Sequence, residues 1–324
     1  MQNVAPKYAW MNGKVIPWEE CVLHGRTQAA FFAANVFEGI RGYWSARDNE
    51  MYVFRNMEHM DRLGRSMKTV RLKVPYSLEE IGQGGVDLLK ANDFREDVHF
   101  VTVAYFGMGE DFEHMNNTDD TGVYITAVTR PQPAGLRTGY TAGVVSWRRI
   151  SDDTVPPRVK AGANYHNSRL AHQEARRHGY NTAIILNNRG TVAEAPGACM
   201  MMVRDGQLVT PPVTSGILES ITRSTLMELS ERELGRRVVE REIDRTELYS
   251  ADEVFLCGSG WEVMPIVAVD QLAVGAGVPG PVTRAIQDAY FGVARGENPA
   301  YRHWLTPVYG GVAAEAAPQL SAAR

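Results

Sequence analysis

Residues 158–165 read RVKAGANY, and Lys160 in this stretch is the residue from which the fold and the chemistry can be worked out. The chain contains 6 lysines and 28 arginines, and Lys160 is the single lysine between residues 91 and 324. An arginine would serve equally well if only a surface charge were needed here. We therefore interpret Lys160 as a candidate for chemistry that needs an amine able to lose its proton.

The neighbours of Lys160 are small and mostly apolar, since Val159 precedes it and the sequence Ala-Gly-Ala follows it. A lysine in such surroundings loses part of its ammonium solvation, which favours the neutral amine that attacks a carbonyl group. The alternative is a lysine at a strand end whose stem packs on apolar surface while its ammonium reaches water. The local sequence leaves both interpretations open.

Glu194 is the single charged residue of the segment TVAEAPG, residues 191–197. A cofactor with a pyridine ring needs a carboxylate at its ring nitrogen, so that the protonated ring can accept electrons. Glu194 is a candidate for that role, and a solvated glutamate at the edge of a loop is the alternative.

Two further segments predict an anion site. Residues 218–223 lead into a predicted helix that ends near Leu234, so the amide groups of Ile221 and Thr222 have no partner inside the helix and suit a phosphate. The turn at residues 257–260 offers more amide groups and the Ser259 hydroxyl. Arg62, on an earlier predicted helix, has a guanidinium fork that fits a phosphate, although a solvated helix face would also explain it.

Composition excludes several classes of protein. The 324 residues are 44% hydrophobic and 22% charged, which indicates about two globular domains. The net charge of −4 argues against binding to nucleic acid or to an anionic membrane surface. No apolar run reaches the ~18 residues of a membrane span, and the start lacks a signal-peptide pattern. The three cysteines show no metal-binding or disulfide spacing, so we expect a cytoplasmic protein without a metal site.

Strand and helix patterns alternate along the chain and predict a mixed α/β protein. The segment TRPQPAGLRTG, residues 129–139, has two prolines and two glycines and no apolar periodicity, as is typical of a connector. We expect an N-terminal α/β domain over residues 1–130, a linker over 131–139 and a C-terminal cofactor-binding domain over 140–324. The glycine-, asparagine- and aspartate-rich residues 107–122 are a candidate lid.

Taken together, five motifs resemble those of the branched-chain amino acid aminotransferases, which are fold-type IV enzymes that use pyridoxal 5′-phosphate. The motifs are Val36–Arg41, His59–Leu63, Lys160–Tyr165, Ser220–Arg223 and Ala251–Phe255, and the likeness runs in the same order from about Tyr8 to Gly292. The resemblance implies the two-domain architecture of D-amino acid aminotransferase, with a smaller N-terminal α/β domain and a larger C-terminal pseudo-barrel domain.

The resemblance also implies a role for each candidate residue. Lys160 would bond covalently to the cofactor aldehyde, Glu194 would face the pyridine nitrogen and Tyr165 would face the ring hydroxyl. The phosphate would be held by Arg62, the amides of Ile221 and Thr222, and Ser259. The substrate pocket would be formed by Phe32, Phe37, Gly39, Arg41, His99, Gly260 and Trp261.

Several positions depart from the family pattern. Cys199 stands where asparagine is usual, so a structural hydrogen bond is expected to be lost. Phe32 replaces a tyrosine, and His99 and Val101 replace a tyrosine-x-arginine pair. Trp261 stands where a small residue usually follows the carboxylate-binding turn. We therefore expect a preserved cofactor site and an altered substrate site.

The function predicted from these residues is a pyridoxal-phosphate-dependent aminotransferase. It would move an amino group between an amino acid or related amine and a 2-oxo acid. The resemblance implies a homodimer or a higher homo-oligomer in which the N-terminal domain of one chain closes the site of its neighbour. The alternatives are a fold-type IV lyase, a transaminase for D-amino acids or primary amines, and a non-catalytic scaffold that binds the cofactor.

Overall fold

The computed structural model describes residues 5–109 and 119–310, and these form two β-sheets with helices packed against them. The strands are β1 (Tyr8–Met11), β2 (Lys14–Pro17), β3 (Asn35–Ser45), β4 (Glu50–Phe54), β5 (Val98–Phe106), β6 (Thr121–Thr129), β7 (Tyr140–Arg148), β8 (Thr182–Leu186), β9 (Val192–Glu194), β10 (Cys199–Arg204), β11 (Gln207–Thr210), β12 (Val238–Glu240), β13 (Glu253–Gly258), β14 (Glu262–Val269), β15 (Leu272–Ala273) and β16 (Leu305–Pro307). The α-helices are α1 (Gln28–Phe32), α2 (Asn56–Thr69), α3 (Leu78–Asn92), α4 (Gly135–Thr138), α5 (Asn164–Arg177), α6 (Ile221–Leu234) and α7 (Pro281–Ala294). The candidate lid lies mostly outside the described residues.

The N-terminal sheet has seven strands in the order β16-β4-β3-β5-β6-β1-β2. Its first hairpin turns at Asn12 and Gly13, whose φ angles of 48° and 86° are those that a two-residue hairpin turn requires. Strand β3 lies in the middle and pairs with β5 so that Arg41 stands opposite His99. Helices α2 and α3 cover one face of the sheet.

The core of this half is built where the apolar sides of α2 and α3 meet β3 and β5, and it includes Ile40, Met60, Leu89 and Phe100. Ser77 and Glu80 form the capping box at the start of α3. The Glu80 amide donates to Ser77 Oγ at 3.1 Å and the Ser77 amide donates to Glu80 Oε2 at 2.7 Å.

The C-terminal sheet has nine strands, eight of them in the order β12-β11-β10-β13-β14-β7-β8-β9, with β15 pairing with β14. Helices α6 and α7 pack on β13, while α5 packs on β7 and β8. Among the described residues, no helix is long and apolar enough to cross a bilayer.

The two halves of the chain are joined by a strand pairing and an ion pair as well as by the connector. Strand β16 comes from the end of the described chain yet pairs with β4, so it completes the N-terminal sheet. The ion pair between Arg295 Nη2 and Asp97 Oδ2, at 2.6 Å, joins the residue after α7 to the start of β5. The predicted linker contains α4 and is therefore partly helical.

Candidate active site

A cavity of about 240 Å³ lies where the two halves meet, and its walls include residues from both sheets. Most of the residues predicted from the sequence line it together. They are Phe37, Gly39, Arg62, His99, Lys160, Tyr165, Glu194, Ile221, Ser259, Gly260 and Trp261.

Lys160 lies in the segment before α5, and its main chain is fixed against the N-terminal half. The Phe37 amide donates to the Lys160 carbonyl at 2.9 Å, and the Lys160 amide donates to Ser66 Oγ at 3.3 Å. Its Nζ donates to the Tyr165 hydroxyl at 2.7 Å and lies 4.8 Å from the centre of the Phe37 ring. The amine therefore faces the cavity, as the first interpretation of Lys160 requires.

Tyr165 is placed by the start of α5, because it is the second residue of that helix. Asn164 sets this start, because its Nδ2 donates to the carbonyl of Val159 at 2.9 Å and to that of Pro156 at 3.2 Å. These bonds fold the segment around Lys160 back onto the helix, so that the amine and the phenol meet.

Glu194 ends β9 with 4% of its surface exposed. Its Oε1 lies 2.7 Å from Arg149 Nη2, and its Oε2 accepts a hydrogen bond from the Leu218 amide at 3.0 Å. Both partners are protein groups, so the carboxylate has a fixed orientation on the cavity wall.

Cys199, which stands where the family pattern has asparagine, keeps a polar contact. Its Sγ donates to the Leu218 carbonyl at 3.4 Å, and it lies 3.9 Å from Glu194 Oε2. Burial and the neighbouring Glu194 carboxylate raise the pKa of this thiol well above its usual range. The expected loss of a structural bond is thus partly offset by a weak thiol donor.

Arg62 is held by a buried carboxylate that the sequence interpretation did not assign. Its Nε and Nη2 donate to the two oxygens of Glu38 at 2.8 and 2.7 Å, and His59 Nδ1 lies 2.7 Å from Glu38 Oε2. Burial alone would raise the pKa of Glu38, but the charge and hydrogen bonds of Arg62 lower it to about 2. Glu38 is therefore a carboxylate that holds Arg62 at the cavity.

The start of α6 lies beside this arginine, since Arg62 Nη1 donates to the Glu219 carbonyl at 2.8 Å. Ser220 caps the helix by accepting a hydrogen bond from the Arg223 amide at 3.2 Å. The amides of Ile221 and Thr222 lie in the first turn of α6, before the Arg223 amide that Ser220 caps, and they have no hydrogen-bond partner inside the helix. A helix start next to a guanidinium favours an anion.

Another part of the cavity lining contains Gly39, His99, Gly260 and Trp261, which we call the substrate wall. A Cβ on Gly39 would lie 2.9 Å from His99 Nε2, so glycine is needed for the imidazole to fit. Burial, together with the charges of Arg130 and Arg41, lowers the pKa of His99 to about 3. The imidazole on this wall is therefore neutral at physiological pH.

Three predicted residues do not line the cavity of this chain. Phe32 lies at the end of the short helix α1 with 43% of its surface exposed, because the chain turns away there before β3. Arg41 is buried between the halves, where its Nη2 lies 2.9 Å from Glu262 Oε1. The Thr222 side chain is buried inside the first turn of α6.

Three residues of the site were not found from the sequence. Glu38 had a usable signal, because it is the single acid in the mostly apolar strand β3. Arg149 resembled any surface arginine at a strand end. Arg130 lay in the connector, where the sequence has no periodicity.

Comparisons with known proteins show the family to which this chain belongs. Residues 35–269, more than half of the chain, match the family described as Amino-transferase class IV. The chain is 36% identical over 310 residues to a probable branched-chain-amino-acid aminotransferase of Aquifex aeolicus, covering 95% of this chain and 99% of that one. It is 38% identical over 309 residues to the branched-chain-amino-acid aminotransferase of Escherichia coli K12, covering 93% and 97%. The crystal structure of the Thermobaculum terrenum branched-chain amino acid aminotransferase in its PLP form superposes with a TM-score of 0.87 at 45% identity, covering 94% and 99%.

Proposed function

This chain belongs to the class IV aminotransferases, and from that premise we propose that its cavity binds pyridoxal 5′-phosphate through Lys160. The predicted fold-type IV architecture and the predicted transaminase activity, transfer of an amino group from an amino acid to a 2-oxo acid, are confirmed. The pairing of Lys160 with Tyr165 in the same cavity as Glu194 is the observation that carries the cofactor proposal.

The residues present fit a phosphorylated pyridine aldehyde. An aldehyde needs an amine inside the cavity, and Lys160 Nζ is there, bonded to Tyr165. A pyridine nitrogen needs a fixed carboxylate, and Glu194 is held from two sides. A phosphate needs cations and amide donors, which Arg62 and the start of α6 offer together.

Each residue then has a role in the transfer. When bound, pyridoxal phosphate supplies an aldehyde that bonds to amino groups and a ring that accepts the electron pair of the substrate α-carbon. Lys160 would hold the cofactor through its aldehyde, and its amine, when free, would serve as the base that takes the substrate α-proton and the acid that returns it. Tyr165 would orient that amine through its hydrogen bond, and Glu194, whose carboxylate is fixed by Arg149, would keep the ring nitrogen protonated.

The substrate side supports branched-chain-type substrates with an altered preference. Phe37, Val159 and Trp261 contribute apolar groups to the cavity lining, which suits an apolar side chain. Trp261 packs edge-on against Tyr140, with ring centres 6.2 Å apart, and this contact fixes its indole at the wall. We infer that Trp261 reshapes the pocket relative to relatives with a small residue there.

We also propose a cytoplasmic homodimer. The exposed Phe31 and Phe32 on α1, with 59% and 43% of their surfaces exposed, give apolar area that a second copy would cover. Cys21, Cys199 and Cys257 are free thiols, which suits a reducing compartment. Light scattering of the purified chain would give the mass of one protomer if the dimer proposal is wrong.

The cofactor proposal is tested with Lys160→Ala. The wild-type protein should take up pyridoxal phosphate and show the absorbance band of the lysine-bound cofactor, and the variant should lack that band. Its kcat for transfer from a branched-chain amino acid to a 2-oxo acid should fall by more than about 10³-fold, since covalent and proton-transfer roles are both removed. Lys90→Ala, an exposed lysine on α3, is the matched control. Colourless spectra for both wild type and Lys160→Ala would end the proposal.

A further inference from the structure

Arg223, the third residue of α6, is a buried cation to which the proposed function gives no role. Its guanidinium contacts the end of β11, where Nε donates to Thr210 Oγ1 at 3.2 Å and Nη2 donates to the Pro211 carbonyl at 3.0 Å. Nη2 also lies 2.6 Å from Glu240 Oε2 on β12. The side chain of Arg223 therefore joins the first turn of α6 to the C-terminal sheet.

This attachment fixes the turn whose free amides suit a phosphate. The Arg223 amide donates to Ser220 Oγ at 3.2 Å and so belongs to the cap of the helix. At the other end of the side chain, Thr210 Oγ1 donates to the Met200 carbonyl on β10 at 2.8 Å. The first turn of α6 is thus tied to two neighbouring strands through buried hydrogen bonds, and moving it would break them.

The charge of Arg62 is balanced inside the protein, whereas that of Arg223 is balanced at the surface. Arg62 is bonded to both oxygens of Glu38, which is fully buried. Glu240, the partner of Arg223, has 41% of its side chain exposed. Water screens an exposed carboxylate better than a buried one, so Arg223 keeps more of its positive potential inside the protein than Arg62 does.

The charge of Arg223 acts on groups in the cavity lining. Cys199 and Cys257 stand opposite each other on β10 and β13, and both line the cavity. Burial raises the pKa of both thiols, to about 12 for Cys257, and the positive charge of Arg223 acts in the opposite direction on each pKa. A cation that favours negative charge at two points of the lining also favours an anion bound in the cavity.

We propose that Arg223 is a positioning residue for the cofactor phosphate, which holds the first turn of α6 in place and supplies positive charge without contacting the phosphate. Arg62 uses three of its five N–H groups on Glu38 and Glu219, so it can still donate to the phosphate although Glu38 balances its charge. Arg223 would supply the attraction that Arg62 has lost. This inference rests on the proposed function and adds a residue that supports the phosphate end of the site.

The test separates the phosphate from the rest of the cofactor. The full chain, freed of cofactor by dialysis, is titrated with pyridoxal 5′-phosphate and with pyridoxal, which has the same ring and aldehyde but no phosphate. The Kd for pyridoxal divided by the Kd for pyridoxal 5′-phosphate measures what the phosphate adds to binding. We expect this ratio to fall by about 10- to 30-fold in Arg223→Gln, because a charge and its hydrogen bonds are lost. Arg223→Lys should lose less than about 5-fold, because the charge remains without the fork.

Glu240→Gln distinguishes the charge of Arg223 from its anchoring contacts. If the ion pair merely anchored α6, removing Glu240 would loosen the helix and lower the ratio. We expect no fall and a rise of up to about 3-fold, because the charge of Arg223 is then unbalanced while Thr210 and Pro211 still hold the guanidinium. The matched control is Arg232→Gln, near the other end of α6, whose side chain is 63% exposed, and it should leave the ratio unchanged.

Failure of this inference can be told apart from failure of the proposed function. An unchanged ratio in Arg223→Gln, whether both affinities stay or fall equally, or a lower ratio in Glu240→Gln, refutes the role of Arg223 while the cofactor proposal stands. If Arg223→Gln does not fold, Arg223→Lys and Glu240→Gln decide through the same ratio. If the wild type binds neither ligand and shows no cofactor band, the cofactor proposal itself is refuted.

Discussion

The two walls of the cavity differ in how their polar groups are held. On the side assigned to the cofactor, the charged groups are buried and paired, as in Arg62 with Glu38 and Glu194 with Arg149. On the side assigned to the substrate, Arg130 is exposed with one long contact, and His99 is kept neutral. If these assignments are right, the reaction chemistry rests on paired, buried groups, whereas selectivity rests on residues that can be replaced one at a time.

This difference has an energetic reason. A buried charge whose partner is removed costs several kcal/mol, so removing one member of a pair on the cofactor wall should destabilise the fold. An exposed charge is screened by water, and its loss changes stability by less than about 1 kcal/mol. Removing a paired charge from the cofactor wall should therefore lower the free energy of unfolding by several kcal/mol, whereas removing the exposed Arg130 charge should change it by less than about 1 kcal/mol.

The largest effect is expected for Glu38→Gln. Glu38 is fully buried, and replacing its carboxylate with a neutral amide leaves the Arg62 guanidinium buried without its counter-ion. We expect the free energy of unfolding, measured with urea, to fall by about 3–5 kcal/mol. Because its pKa is lowered to about 2 from an ordinary value of 4.5, the stability that Glu38 contributes is present above pH 4.5 and lost as pH falls toward 2.

Glu58→Gln is the control for this change. Glu58 Oε1, on α2, lies 2.8 Å from Nε of Arg55, the residue before that helix, but 38% of the Glu58 side chain is exposed. Its replacement should cost less than about 1 kcal/mol. Equal losses for the two variants would show that the walls do not differ as described.

Gly39→Ala should have an intermediate effect. The new Cβ would lie 2.9 Å from His99 Nε2 and 3.3 Å from its Cε1, so the imidazole must shift within the substrate wall. We expect a loss of about 1–3 kcal/mol in the free energy of unfolding and a rise in substrate KM, with the cofactor band retained. Gly25→Ala is the control, since no atom lies within 4 Å of its added Cβ. A variant that lost the cofactor band while keeping substrate affinity would contradict the assignment of this wall.

The residues of the cofactor wall were largely predictable from the sequence, because several of them lie close together in the chain. Lys160 and Tyr165 are five residues apart across a small-residue turn, so one motif contains both halves of their hydrogen bond. The start of α6 is likewise a local feature with its own capping residue, Ser220. Motifs of this kind carry their geometry within a few residues, which is why their position at the cavity could be anticipated.

The substrate wall could not be derived in the same way, because its contacts join distant segments. Arg41 and Glu262 are 221 positions apart, and their buried pairing takes Arg41 away from the predicted pocket. Arg130 reaches Gly260 across 130 positions, from a connector without any pattern. The pairing of β16 with β4 is equally non-local, so a division of the chain at residue 130 misses the last strand of the N-terminal sheet.

The smallest effect is expected for the pH dependence that His99 produces. Burial and the charges of Arg130 and Arg41 lower its pKa from 6.5 to about 3, so between these values the unfolded chain binds a proton that the folded chain does not. Stability should therefore fall as pH drops below 6.5, by about 1 kcal/mol from pH 6 to pH 5, and His99→Gln should remove this decline. His166→Gln, an exposed histidine on α5, should retain it. A bell-shaped pH profile of kcat/KM between pH 5 and 8 that disappears in His99→Gln would contradict this prediction. It would mean that the His99 imidazole gains a proton in this pH range and places a positive charge on the substrate wall.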